Sequence, residues 1–216
     1  MDKSDYKHIS IRGDGNCLFN SISKFLELDK YLDNDIHVIK PNQLRKLTVQ
    51  WIRKNLSYRT PSGLTITDDI NEYIQNDRNM NSINDYLEYM NMNKSFAGQI
   101  ELYAISNLLN RSIRTYIEKG GKYNNIGLGL QVKKKNIYND IYLYHNLGII
   151  GNNPNEHHFE VLYPMVKYNS IKSKRIKESQ RRSQRRTQRR SQRRSQRRSQ
   201  RRSQRRSQRR SQRRSQ

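Results

Sequence analysis

The chain has 216 residues and a formal net charge of +24, from 43 Lys and Arg against 19 Asp and Glu. No apolar run approaches the ~18–20 residues of a membrane span, and Met1-Asp2-Lys3-Ser4-Asp5 leads into no apolar stretch, so neither a membrane contact nor a secretory signal is expected. Cys17 is the single cysteine, which excludes an intramolecular disulfide and a Cys-rich zinc cluster, and a lone thiol fits a reducing intracellular compartment, cytoplasm or nucleus.

The charge sits at one end. From Ile171 to Gln216 there are 22 basic residues and one acid, Glu178, whereas residues 1–170 hold 21 basic and 18 acidic groups. Past Tyr168 only Ile171 and Ile176 are apolar, so a core has to be built from what precedes them. The expected organisation is one domain over residues 1–168 and a basic tail over 169–216.

Along the domain, His8–Arg12 reads as a short strand entering a turn at Gly13 and Gly15. Cys17–Leu28 follows as a helix, with Cys17, Phe19, Ile22, Phe25, Leu26 and Leu28 at helical spacing. Pro41 suits the first turn of a second helix running to Leu56, with Leu44, Leu47, Trp51 and Ile52 on its buried stripe. Asp68–Gln75, Ser82–Met90 and Phe96–Asn110 are further helices. Strands come next: Ser112–Ile117, a break at Gly120-Gly121, a weaker strand over Ile126–Val132, and Ile141–His145 with alternating apolar and tyrosine positions. Gly148–Asn155 is a loop dense in Gly, Asn and Pro, and His158–Tyr163 is a last strand ended by Pro164. The order of elements predicts an α/β (α+β) domain.

The tail repeats Ser-Gln-Arg-Arg with a period of four from Ser179 onward, broken once by Thr187. It has nothing to bury against the entropy of folding, and a helix would set Arg against Arg at i, i+4, so disorder is expected. A +21 array is an electrostatic ligand for polyanions, RNA or DNA, with steep salt dependence and no aromatic residues to read bases. The repeats also look like basic localisation signals, and each Ser after Ser179 follows an Arg pair, so phosphorylation would cancel charge stepwise. The opposing reading is a repeat expanded by replication slippage that does little.

Candidate chemistry centres on Asp14-Gly15-Asn16-Cys17-Leu18-Phe19. A thiol in the first turn of a helix, directly after a glycine-bearing loop, meets unpaired N–H groups and the positive end of the helix dipole. Both favour a thiolate, and the same N–H groups suit an oxyanion. The plainer alternative is a small buried hydrophobe. A nucleophilic cysteine needs a base, and His157 and His158 open the last strand, where only one of them can face the thiol. His8 and His37 lie in polar surroundings, and His145 ends a strand. A metal site through Glu156, His157, His158 and His145 lacks the spacing of common sites, so no metal or cofactor is expected.

Three blocks resemble the ovarian-tumour (OTU) family of cysteine proteases, which remove ubiquitin from proteins. They are Asp14–Phe19, Phe96-Ala97-Gly98-Gln99-Ile100-Glu101-Leu102-Tyr103-Ala104-Ile105-Ser106, and His158-Phe159-Glu160-Val161-Leu162, in the family's order. The resemblance implies a papain-related fold, a small central β-sheet flanked by helices. It also implies a cysteine-type deubiquitinase acting on ubiquitin or polyubiquitin conjugates. By the same resemblance Cys17 is the nucleophile and His158 the general base. Asp14 is the acidic member of the motif, shaping an oxyanion-hole loop that includes Gly15 and Asn16.

The chain departs from the family pattern at two places. Glu160 stands where the family carries Asn or Asp to orient the imidazole, and position i+2 on a strand shares the face of His158. Phe96-Ala97-Gly98 replaces the usual Trp-Gly-Gly. Asp14, Asn146 and Asn155 are other polar candidates for the orienting role. The short-period repeat, AT-biased composition and minimal domain point to a large DNA virus, acting in its host cell, or an AT-rich parasite. Two alternatives stay open: a catalytically impaired module that binds nucleic acid through its Arg-rich tail, and a protease for another ubiquitin-like modifier.

Overall fold

Most side chains of the helix that follows the glycine loop are apolar or small, and such a helix has to bury most of its surface inside the protein. In the computed structural model, which describes residues 1–76, 80–127, 140–146 and 158–212, it does. After strand β1 (Tyr6–Ile9), helix α1 (Cys17–Lys30) buries Cys17, Leu18, Phe19, Ile22, Phe25, Leu26 and Leu28. Helices α2 (Pro41–Lys54), α3 (Ile66–Asn76), α4 (Ile83–Asn91) and α5 (Gln99–Leu109) come next. The sheet is completed by β2 (Ile113–Lys119), β3 (Lys122–Asn125), β4 (Ile141–Asn146) and β5 (His158–Pro164), and α6 (Met165–Gln212) closes the chain.

The fold is mixed α/β, with a five-stranded sheet in the order β1-β5-β4-β2-β3. Only β2 and β4 run parallel; the β1–β5, β4–β5 and β2–β3 pairs are antiparallel. α1 packs against β5 and β4. The Phe25 and Tyr163 rings meet edge-on at 5.0 Å, and the Ser21 hydroxyl donates to the Phe159 carbonyl at 2.8 Å. A second core, of Val49, Ile52, Ile66, Ile70, Tyr86, Leu87, Met90 and Ile100, joins α2 to α5.

Several element ends differ from the periodicity reading for identifiable reasons. β1 ends at Ile9, opposite Val161, because the next partner residue offers its side chain: Glu160 takes the Ile11 N–H at 3.2 Å in place of a ladder bond. Ser82 stands outside α4 as its N-cap, its hydroxyl accepting the Asp85 N–H, and α5 starts only after Gly98, whose N–H is held by the Glu101 carboxylate at 2.8 Å. Gly120-Gly121 does not end the strand region. Both glycines have positive φ and form the two-residue turn of a hairpin, so the partner strand is Lys122–Asn125. Ile126 and Gly127 lie outside any strand, and the remainder of the strand expected over Ile126–Val132 falls outside the described residues, as does the Gly148–Asn155 loop.

The stripe on α2 is rotated. Leu44, Arg45, Thr48, Val49 and Ile52 are buried, while Leu47 and Trp51 are only half-buried. At the far end of α1, Asp29 is buried and accepts from Tyr163 Oη at 2.7 Å, Arg111 Nη2 at 2.7 Å and Lys167 Nζ at 3.2 Å, tying the helix to the sheet.

The chain divides into two compact units, Met1–Asn169 and Ser170–Gln216. In the second, composition predicts disorder, whereas the backbone is helical through Gln212. Nothing after Pro164 breaks a helix, and Arg and Gln are good helix formers, so local propensity opposes the like-charge repulsion. Residues 172–193 are all exposed, and hydroxyls bond back to the helix, as from Thr187 Oγ1 to the Ser183 carbonyl. No helix among the described residues is long and apolar enough to cross a membrane.

Candidate active site

The loop before α1 is held by its own side chains. The Asn16 N–H donates to Asp14 Oδ1 at 3.1 Å, a turn that Asp favours. Gly15 has φ of +76°, and a Cβ there would lie 1.8 Å from the Lys94 carbonyl oxygen, so both the backbone angle and the close approach demand glycine. Asn16 is the N-cap residue of α1, yet its side chain does not cap the helix. Its Oδ1 accepts instead from Arg45 Nη2 at 2.9 Å and from the Lys94 N–H at 3.2 Å, which fastens the loop to the segment between α4 and α5.

Cys17 is the first residue of α1 and only 1% exposed. The backbone N–H groups of Phe159 on β5, of Leu18 and of Cys17 itself lie near its sulfur and favour the anion. The helix-end donors foreseen from the sequence are therefore present, but the expected fall in pKa is not: burial pushes the thiol above its ordinary value, and the Asp14 charge adds to the rise. Desolvation outweighs the donors because the thiol points into the interior.

The Phe159 N–H that reaches the sulfur belongs to the residue after His158. His158 is 5% exposed and stands opposite Asn146 on β4. Its Nε2 lies 3.4 Å from Glu160 Oε1, beyond a normal hydrogen bond, and its buried Nδ1 has no partner among the described residues. The carboxylate of Glu160 is mainly engaged elsewhere: Oε2 lies 2.6 Å from His8 Nε2, and Oε1 accepts from the Ser10 hydroxyl at 2.5 Å and from the Ile11 N–H. Burial alone would raise Glu160; the bonds from Ser10, His8 and Ile11 together hold it below the usual carboxylate value.

Cys17, His158, Asp14 and Glu160 thus gather where the start of α1 meets β5 and the loop after β1. His145 is removed from this role by packing, its ring stacked on Phe159 at 4.7 Å. Asn155, Glu156 and His157 lie outside the described residues. Of the two expected oxyanion-loop residues, the Asn16 N–H is occupied by Asp14, and Gly15 turns its carbonyl to Arg45 Nη2 at 3.0 Å. No three His, Cys, Asp or Glu side chains among the described residues form a metal-holding group.

Two residues of the site escaped the sequence reading. His8 is not without a partner: it sits on Glu160 and edge-on to Tyr144 at 4.9 Å. Arg45 was readable in principle, because 45, 48, 49 and 52 share one helical face and a cation on that face has to be satisfied inside.

The family described as OTU-like cysteine protease matches the chain over residues 12–149, stopping short of β5. No curated protein matches. Among solved structures, the Hazara virus OTU bound to ubiquitin is 14% identical, covers 76% of this chain and 85% of its own, and has a TM-score of 0.49. A Wolbachia pipientis OTU deubiquitinase bound to ubiquitin is 12% identical over 74% of this chain and 97% of its own, with a TM-score of 0.47. The OTU domain protease of Dera Ghazi Khan virus is 18% identical over 76% and 85%, with a TM-score of 0.46.

Proposed function

The chain belongs to the OTU-like cysteine protease family, and from that premise we propose that it is a cysteine-type deubiquitinating hydrolase cleaving the bond after the C-terminal glycine of ubiquitin. The observation that carries the reading is that the backbone N–H of Phe159, the residue after His158, reaches the Cys17 sulfur at the first turn of α1.

The chemistry follows from the ring nitrogens. Glu160 faces Nε2 of His158 and favours the tautomer protonated there, which leaves the Nδ1 lone pair for the thiol proton. Proton transfer from Sγ to Nδ1 makes the attacking thiolate, whose sulfur bonds to the glycine carbonyl carbon and drives charge onto the carbonyl oxygen. Collapse of that oxyanion expels the lysine amine, which takes the proton from the imidazolium. Water, deprotonated by the same imidazole, then releases the thioester as a carboxylate and restores the thiol. For the Asn16 N–H to bind the oxyanion, the Asp14 carboxylate has to give it up.

The test is ubiquitin carrying an electrophile at its C-terminus, incubated with the full chain. One covalent adduct is expected, absent in Cys17→Ala and strongly slowed in His158→Ala. An adduct that survives Cys17→Ala sinks the reading; reaction only with a ubiquitin-like protein would redirect it to that modifier.

The tail supports a second role, binding of RNA or DNA, because it carries a run of net +21 and its described arginines are exposed. Affinity should fall linearly in log–log against salt, and a full chain whose binding ignores salt would refute it. Cytoplasm or nucleus is the corresponding site of action, in a host cell if the source is viral.

A further inference from the structure

Arg45 is 3% exposed, and its guanidinium is spent entirely on neutral oxygens. Nη1 donates to the Met90 carbonyl at 2.9 Å and to Ser95 Oγ at 3.0 Å. Nη2 donates to the Gly15 carbonyl at 3.0 Å, to Asn16 Oδ1 at 2.9 Å and to the Ser95 carbonyl at 2.9 Å. Nε has no partner among the described residues, and the cation lies over the Phe19 ring at 4.3 Å. No ion pair to Arg45 occurs among the described residues. Glu101, the carboxylate that acts on it most strongly, is occupied by Tyr86 Oη at 2.6 Å and the Gly98 N–H.

A buried cation without a counterion is costly, and arginine is rarely buried unpaired. Five neutral acceptors serve its two terminal nitrogens, and Glu101, the carboxylate acting on it most strongly, makes no ion pair with it. Two of those acceptors, the Gly15 carbonyl and the Asn16 side chain, belong to the residues immediately before Cys17. An anion at Cys17 or on the carbonyl it attacks would offset the desolvated charge. That anion exists during the reaction and not in the resting thiol.

We propose that Arg45 is a positioning residue for the nucleophile: it fixes the Gly15–Asn16 peptide against the Ser95 segment and supplies a built-in positive charge that favours the anion formed at Cys17. A thiolate at Cys17 would favour the charged form of Arg45, and by reciprocity the guanidinium would favour that thiolate. The inference rests on the reading of Cys17 as nucleophile. It adds to that reading a charge supplied from α2, which none of the three motif blocks contains.

The experiment compares full-length parent, Arg45→Met and Arg45→Lys by two readouts. One is the ultraviolet absorbance of the thiolate against pH, taken as the difference from Cys17→Ala so that the ionisation of the 14 tyrosines cancels and the single cysteine remains. The other is hydrolysis of ubiquitin bearing a fluorogenic C-terminal amide. Asp14 and His158, the other ionisable groups beside the thiol, are unchanged throughout. Arg45→Met should raise the thiol midpoint by about one pH unit and lower kcat by ~10²-fold, with KM within about threefold. Arg45→Lys keeps the charge but cannot span the acceptors, so its midpoint should stay within about 0.3 of the parent while kcat falls ~10-fold.

A merely structural clamp would lower Tm and leave the thiol midpoint where the parent has it. Folded Arg45→Met with an unshifted midpoint therefore overturns the proposal. If Arg45→Met does not fold, Arg45→Lys decides, and an unchanged kcat overturns it. A parent that titrates normally yet hydrolyses no ubiquitin amide defeats the proposed substrate, and the thiol midpoints still decide the role of Arg45.

Discussion

Arginine is used in opposite ways in the two units of this chain. In Met1–Asn169 one guanidinium, Arg45, is buried and makes five hydrogen bonds that set the loop before Cys17. In Ser170–Gln216 the arginines recur with a period of four, and the described ones are exposed. Burial makes one charge expensive and therefore specific in what it touches; exposure makes many charges cheap and therefore interchangeable. Substitutions in the first unit should act on a site, and those in the second on total charge.

The largest effect that would sharpen this contrast is removal of the Ser-Gln-Arg-Arg repeat from Ser179 onward. Binding to an unstructured RNA at low salt should weaken by at least ~10³-fold, measured by fluorescence anisotropy, while Tm stays within about 1 °C. A large fall in Tm would break the comparison by showing that the tail holds the first unit together. Next is Gly15→Ala, which needs a disfavoured φ and room occupied by the Lys94 carbonyl. A loss of ~10²-fold in kcat is expected, together with about 1–3 kcal/mol of stability in urea titrations.

Asp29→Ala strips the partner from Arg111, Tyr163 and Lys167 at the other end of α1. It should cost about 3 kcal/mol without changing KM, checked by denaturation and steady-state kinetics. The smallest effect is that of Glu160→Gln, about tenfold in kcat. Its pH signature has a defined sign. Glu160 is held below its ordinary 4.5, so its contribution to stability is complete above that pH and lost as pH falls through the lower native value. The stability gap between parent and Glu160→Gln should therefore close in acid; a gap that widens would show that Glu160 gains nothing from Ser10, His8 and Ile11.

Much of the architecture was legible because it depends on short-range pattern. α1 starts at Cys17 as the apolar spacing predicts, α2 starts at Pro41, and β4 and β5 begin at Ile141 and His158. β3 was missed because Lys122-Tyr123-Asn124-Asn125 is poor in strand formers; only the two-glycine turn announced it. The site was legible in its residue types and not in its wiring. His8 and Glu160 are 152 positions apart, a separation no periodicity spans. The rise in the Cys17 pKa was invisible for a related reason, since helix-end donors can be read locally and desolvation cannot.

By itself, the amino-acid sequence determined the division into an apolar-rich domain and a charged repeat, the α/β order of elements, and the motif that names the family. These are matters of composition, spacing and adjacent residues. Only the tertiary structure decided that the Phe159 N–H meets the Cys17 sulfur, that Glu160 gives its carboxylate to His8, Ser10 and Ile11, and that Arg45 is a buried cation behind the loop before Cys17. Each of those depends on how far apart two distant segments lie and how much water remains between them. Both follow from packing the whole chain.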